Sequence, residues 1–96
     1  MSNPILSDFD IISHVSSPVF QRGLDYVRKD RVFDTLVKDI FIMGLVRGSA
    51  RSPYVVSIYL NKGMIDYSEC TCPVGTACKH VAALAIFARP QAKLTF

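Results

Sequence analysis

No apolar run in this 96-residue chain is longer than eight residues, Val81 to Ala88. A bilayer-spanning helix needs about 20, so no membrane partner is expected. The segment Met1 to Asp8 lacks the basic stretch and apolar core of a secretory signal, and a cytoplasmic location is expected. The marks of disorder are missing too: half the residues are hydrophobic, a fifth are charged, and mean hydropathy is +0.28. There is no Gly-rich phosphate loop, no repeat and no linker. Asp8, Asp10, Asp30, Asp34 and Asp39 are scattered, so paired-carboxylate chemistry has no support, and no nucleophile stands beside an orienting base. A single domain over residues 1–96, without enzymatic activity or a small-molecule substrate, is the expectation.

Cysteine is scarce but concentrated. Cys70, Cys72 and Cys78 fall within nine residues. An odd, tight cluster makes a poor disulfide framework, and in a reducing compartment such clusters more often hold metal. Charge is uneven. Residues 1–40 hold five Lys and Arg against six Asp, and residues 41–96 hold six against two acids. The basic second half can attract polyanions, although the imbalance is modest.

The apolar spacing predicts an α+β domain: two N-terminal helices, an antiparallel four-stranded sheet and a C-terminal helix that the cysteine cluster can tie down through metal. Ser7 to Asp10 is close to a capping box, with Phe9, Ile12 and Val15 at helical spacing. Ser17 is expected to cap a second helix with Pro18 at its first position, running to about Lys29. Four strands follow at about 32–37, 40–47, 54–60 and 64–70, rich in β-branched and aromatic residues. Asn61-Lys62-Gly63 reads as a hairpin connection, with Gly63 where positive φ is needed. That turn sets Leu60 opposite Met64 and Tyr54 opposite Cys70. The last helix spans Lys79 to about Ala88, is apolar on nearly every face, and is expected to stop at Pro90 before a fraying end.

Cys70, Cys72, Cys78 and His80, spaced C-x-C-x5-C-x-H, form a complete ligand set for one structural Zn²⁺. Residues two apart on a strand share a face, so Cys70 and Cys72 can converge. Residues two apart on a helix cannot, which places Cys78 just before the last helix and His80 in its first turn. Cys72-Pro73-Val74-Gly75 suits a turn that folds the helix start back to the strand end. Buried free thiols are the alternative. Four protein ligands leave no open position for a catalytic water.

These residues resemble the SWIM zinc finger. The match rests on Cys70-Thr71-Cys72-Pro73 and on Cys78-Lys79-His80 with the apolar helix after it, preceded by the strand Tyr54 to Leu60. It covers a finger core at about 54–88. Upstream, Arg22 to Tyr26, Arg31-Val32 and Gly48-Ser49 are similar to the region preceding this finger in bacterial proteins. The resemblance implies a recognition module, known in Swi/Snf-type helicases, Mutator-type transposases and ubiquitin-pathway proteins. In bacteria it often lies at the amino end of a helicase-like chain. It implies nucleic acid as the ligand, or alternatively a protein.

Arg47, Arg51 and Lys79 are the candidate nucleic-acid contacts, because the expected hairpin brings all three to the zinc end of the sheet. His14 is read as a helix-face residue outside the ligand set. Arg22 and Tyr26 lie one turn apart on the second helix and are expected to pack together. Tyr54, Tyr59 and Tyr67 are expected to pair across the sheet, with base stacking as the alternative.

Overall fold

The computed structural model describes residues 6–62 and 64–94, with side chains placed through residue 89. The chain runs α1 (Asp8–Val15), α2 (Ser17–Arg28), β1 (Val32–Lys38), β2 (Phe41–Val46), β3 (Tyr54–Asn61), β4 (Met64–Cys70) and α3 (Lys79–Leu94). No helix among the described residues is long and apolar enough to cross a membrane.

The capping box forms as expected. Asp10 N–H donates to Ser7 Oγ and Ser7 N–H donates to Asp10 Oδ2, both at 3.1 Å, which satisfies two amides at the helix start. The second helix begins differently from the expectation. Ser16, at φ 91°, closes α1 and precedes α2, no side chain caps α2, and Ser17 lies inside the helix ahead of Pro18. Pro18 has no N–H to satisfy, which lessens the need for a cap.

The strands form an antiparallel meander in the order β1-β2-β3-β4. α3 lies across all four strands, α2 packs on α3, and α1 reaches both α3 and β4. Val81 to Ala85 and Ala88 are fully buried, against Ile42, Val46, Val56 and Ile58 of the sheet. The layers approach closely because small residues line the contact. A Cβ added at Gly23 would lie 2.6 Å from Ala82 Cβ and 2.9 Å from Ala83 N, and one at Gly44 would lie 2.7 Å from Leu84 Cδ1.

The third helix passes Pro90 and continues to Leu94, a correction to the expected stop. A proline removes one amide donor, while the amides of residues 91–94 still have carbonyls four residues back. Residues 95–96 of the expected fraying end, and Gly63, lie outside the described residues. The β3–β4 register also differs. Asn61 pairs with Met64, an irregularity follows between Tyr59 and Leu60, and Val56 lies opposite Cys70. A tighter turn, with Lys62 at φ 54°, plus one extra residue at the bulge, shifts the pairing by two. Tyr54 still lies at the zinc end, just beyond Cys70.

The register also defines the sheet face turned away from the helices. One row is Lys38, Phe41, Tyr59 and Tyr67; the next is Leu36, Met43, Ser57 and Glu69; the third is Phe33, Leu45 and Val55. No helix among the described residues covers this face.

The Gly23 contact sets two effects against each other. Alanine would gain about 1 kcal/mol of helix propensity, but its methyl would strike a helix backbone that has no flexible end to yield. Gly23→Ala is expected to lower stability by about 1–3 kcal/mol in urea unfolding, the range for overpacking; a stabilised variant would show that α2 and α3 can part without cost.

Candidate metal centre

Cys70 is the last residue of β4, and its N–H donates to Gly75 O at 2.8 Å. Thr71 continues the pairing by one residue: its N–H donates to Val55 O at 3.1 Å and its Oγ1 accepts from Val55 N–H at 3.0 Å. Cys72 therefore lies past the strand, contrary to the expected strand pair. Pro73 has no amide to extend the ladder, and the chain turns at Pro73 and Val74. Gly75 at φ 89° and Ala77 at φ 49° complete the reversal. Cys78 then precedes α3, accepting at its carbonyl from Ala82 N–H at 3.0 Å, and His80 sits in the first turn, as the spacing requires.

The reversal brings the four donors together. Cys70, Cys72, Cys78 and His80 are all buried, with their ligand atoms within 4.8 Å of one another. Cys72 Sγ is 3.6 Å from Cys78 Sγ, and His80 Nδ1 is 3.6 Å from Cys78 Sγ and 3.7 Å from Cys70 Sγ. A tetrahedron with sulfur at about 2.3 Å and nitrogen at about 2.0 Å from zinc has edges near 3.8 Å between sulfurs and near 3.5 Å from sulfur to nitrogen. The measured edges fit it, and 3.6 Å is far too long for a disulfide; the three cysteines are free. When bound, zinc would supply a structural cross-link between the end of β4 and the start of α3.

Nδ1 is the histidine atom that faces the thiols. The ring is held between Tyr54, with centroids 4.5 Å apart, and Tyr26, which meets it edge-on at 5.4 Å. The backbone at Gly48 closes its other side: a Cβ there would lie 3.1 Å from His80 Nε2 and 2.5 Å from the Tyr54 ring. The glycine is needed for that close approach.

The thiols perturb one another. The hydrogen bond with Cys70 is the largest influence on Cys78 and pulls its thiol down to about 3 against the opposing effect of burial. The same bond, followed by burial, pushes Cys70 up. Cys70 is thus the harder of the two thiols to ionise. Zinc requires both as thiolates and must displace the Cys70 proton.

A polar network that the sequence analysis missed supports the ligand loop. Ser68, almost fully buried on β4, accepts from Ala77 N–H at 3.2 Å and meets Thr76 Oγ1 at 3.0 Å and His14 Nε2 at 2.8 Å. It ties α1 and β4 to the residues just before Cys78, and it pins Ala77 in its left-handed conformation. A serine flanked by exposed residues on a strand gave no signal beyond its inward parity. His14 is half-buried in this network, where burial lowers its pKa, and it lies outside the metal cluster.

Of the basic candidates, Lys79 is the one placed at Tyr26, where Arg31 joins it. Lys79 Nζ stands 5.5 Å from the centre of that ring and the Arg31 guanidinium 5.4 Å. Arg31 also donates to Arg47 O at 3.2 Å, and Arg47 lies over Phe33. Arg51 is exposed on the β2–β3 connection. Arg31 was not singled out from the sequence, although pairing Val32 with Val46 implies its place beside Arg47. Arg22 lines a cleft of about 380 Å³ together with Lys79, Ser49, Tyr54 and Val74.

Purified protein is expected to carry one zinc per chain. Cys78→Ser and His80→Ala should lose it together with cooperative unfolding, since structural zinc contributes on the order of 10 kcal/mol to folding. His14→Ala should keep full occupancy by metal analysis. Because at least the Cys70 proton is displaced, apparent affinity should rise about tenfold or more per pH unit between pH 6 and 8 in chelator competition; a flat profile would mean the thiols are already ionised.

Comparison with curated proteins and with solved structures finds no match for the chain. Residues 54–88 match the family model of the SWIM zinc finger, and the Cys70, Cys72, Cys78 and His80 cluster lies within the matched segment, consistent with one structural zinc.

Proposed function

We propose that this domain is a non-catalytic recognition module that binds nucleic acid through its zinc end, as part of a larger helicase-like protein. The observation that carries this reading is the cationic surface around the finger. Arg31 and Lys79 share the Tyr26 ring, Arg31 bonds the Arg47 backbone, and Arg22 and Lys79 line the adjoining cleft. No carboxylate lines that cleft. Cations held against aromatic rings lose less freedom when they meet a phosphate than free ones do. The helicase-like context rests on the resemblance of Arg22 to Tyr26, Arg31-Val32 and Gly48-Ser49 to the region preceding bacterial fingers of this kind. Zinc acts here by fixing the scaffold.

Arg47, Arg51 and Lys79 are the residues to test, since Arg31 also holds backbone. Three phosphate contacts imply a log-log salt slope near −2.7, about a forty-fold loss of affinity between 50 and 200 mM salt. Labelled DNA titrated by fluorescence anisotropy should show that slope for the wild type and a shallower one for the Arg47/Arg51/Lys79→Ala variant, with zinc content unchanged. No binding at low salt, or an unchanged slope in the variant, would assign the surface to a protein partner instead.

A further inference from the structure

The sheet has two apolar faces and the helices cover one. On the other, Leu36 is 47% exposed, Met43 36%, Val55 40% and Tyr67 48%. They lie in the same cross-strand rows as Phe41 and Tyr59. A contiguous apolar surface of this kind in water marks an interaction site. It is built from the four strands of the sheet. The surface that fits it is another sheet face, packed about 10 Å away.

The aromatic row does not suit bases. Tyr59 and Tyr67 are stacked on each other, with centroids 4.6 Å apart and planes 11° apart, and Phe41 lies 5.2 Å from Tyr59. The stacking occupies one face of each of those two rings. Glu69 beside Tyr67 would also repel a phosphate chain.

The charges on this face point to a specific occupant. Among the outward positions of the paired rows, the cation is Lys38 at the β1 edge and the anion is Glu69 at the β4 edge. A two-fold axis parallel to the strands, between β2 and β3, lays β1 of one copy over β4 of the other. It brings each Lys38 toward the opposite Glu69, and sets Phe41 over the opposite Tyr59. We propose that this open face docks a second copy of the same chain, as a symmetric sheet-on-sheet dimer. The contact is isologous, so it closes at two copies.

The footprint sets its strength. Four strands about 4.8 Å apart, each contributing about 17 Å of length, give roughly 320 Å² of flat area per copy. That is well below the roughly 800 Å² per partner of a standard stable interface, so the dimer should dissociate on dilution. Arg47 of the zinc end borders this surface over Phe33, but Leu36, Met43, Lys38 and Glu69 lie outside the proposed nucleic-acid contacts, so the dimer does not depend on that binding.

Sedimentation velocity on the zinc-loaded protein from 2 to 500 µM is expected to show monomer passing into dimer. Leu36→Glu and Met43→Glu should each raise the dissociation constant at least tenfold, with zinc content and circular dichroism unchanged. Lys38→Glu or Glu69→Lys alone should weaken the dimer several-fold, and the two together should restore it to within about twofold. Three results would overturn the proposal: a wild type that stays monomeric at 500 µM, a dimer untouched by Leu36→Glu and Met43→Glu, or charge swaps that fail to rescue each other. A monomer would leave the face to a different chain.

Discussion

Four donor atoms from eleven consecutive residues must meet at one point, and most of the structure around them follows from that demand. Cys70 sits at the end of a strand and Cys78 at the start of a helix, so their meeting fixes where α3 begins and at what angle it crosses the sheet. α3 is the centre of the core, fully buried from Val81 to Ala85. Its position then sets where α1 and α2 can pack. A cross-link at the helix start therefore organises residues far outside the finger. In a chain of this size, whose core alone is energetically marginal, such a staple stands in for missing buried area.

Packing and electrostatics act on the same few ångströms. The ligand histidine is bracketed by two tyrosines and backed by Gly48, and one of those tyrosines also carries Arg31 and Lys79. Three thiolates and one Zn²⁺ leave the centre with a net negative charge, which cations within reach help to offset. The basic surface thus has a local structural role as well as the recognition role proposed for it. The two uses are compatible because a guanidinium or ammonium over a ring face keeps its outer side open to water.

The α+β class, the meander, the capping box and the ligand set were legible because each rests on local chemistry: periodicity of two or 3.6, a Ser-x-x-Asp start, or donors at fixed spacing. What the sequence did not disclose depends on neighbours distant in the chain. The bulge after Tyr59 cannot be seen from alternation alone, and together with the tighter turn it moves the partner of Cys70 from Tyr54 to Val56. Cys72 was assigned to a strand because parity permitted it, while Pro73 had already removed the amide needed to continue. Pro90 was taken as a stop, yet one missing donor is a smaller loss than the rest of the last turns. Ser68 gave no signal for the same reason: its importance lies in His14 of α1 and in Thr76 and Ala77 of the metal loop, which reach it from two separate segments.

The Ser68 hydroxyl also has a fixed valence. It offers one proton and two lone pairs, and Ala77 N–H occupies one of the pairs. One pair and one proton are left for His14 and Thr76, so those two cannot both donate. A neutral His14 can accept at Nε2, in which case the Thr76 hydroxyl must point toward Ser68. A charged imidazolium can only donate, and Thr76 must then turn and accept. The hydroxyls between α1 and the metal loop form a short chain with a direction, and that direction reverses with the charge of one histidine.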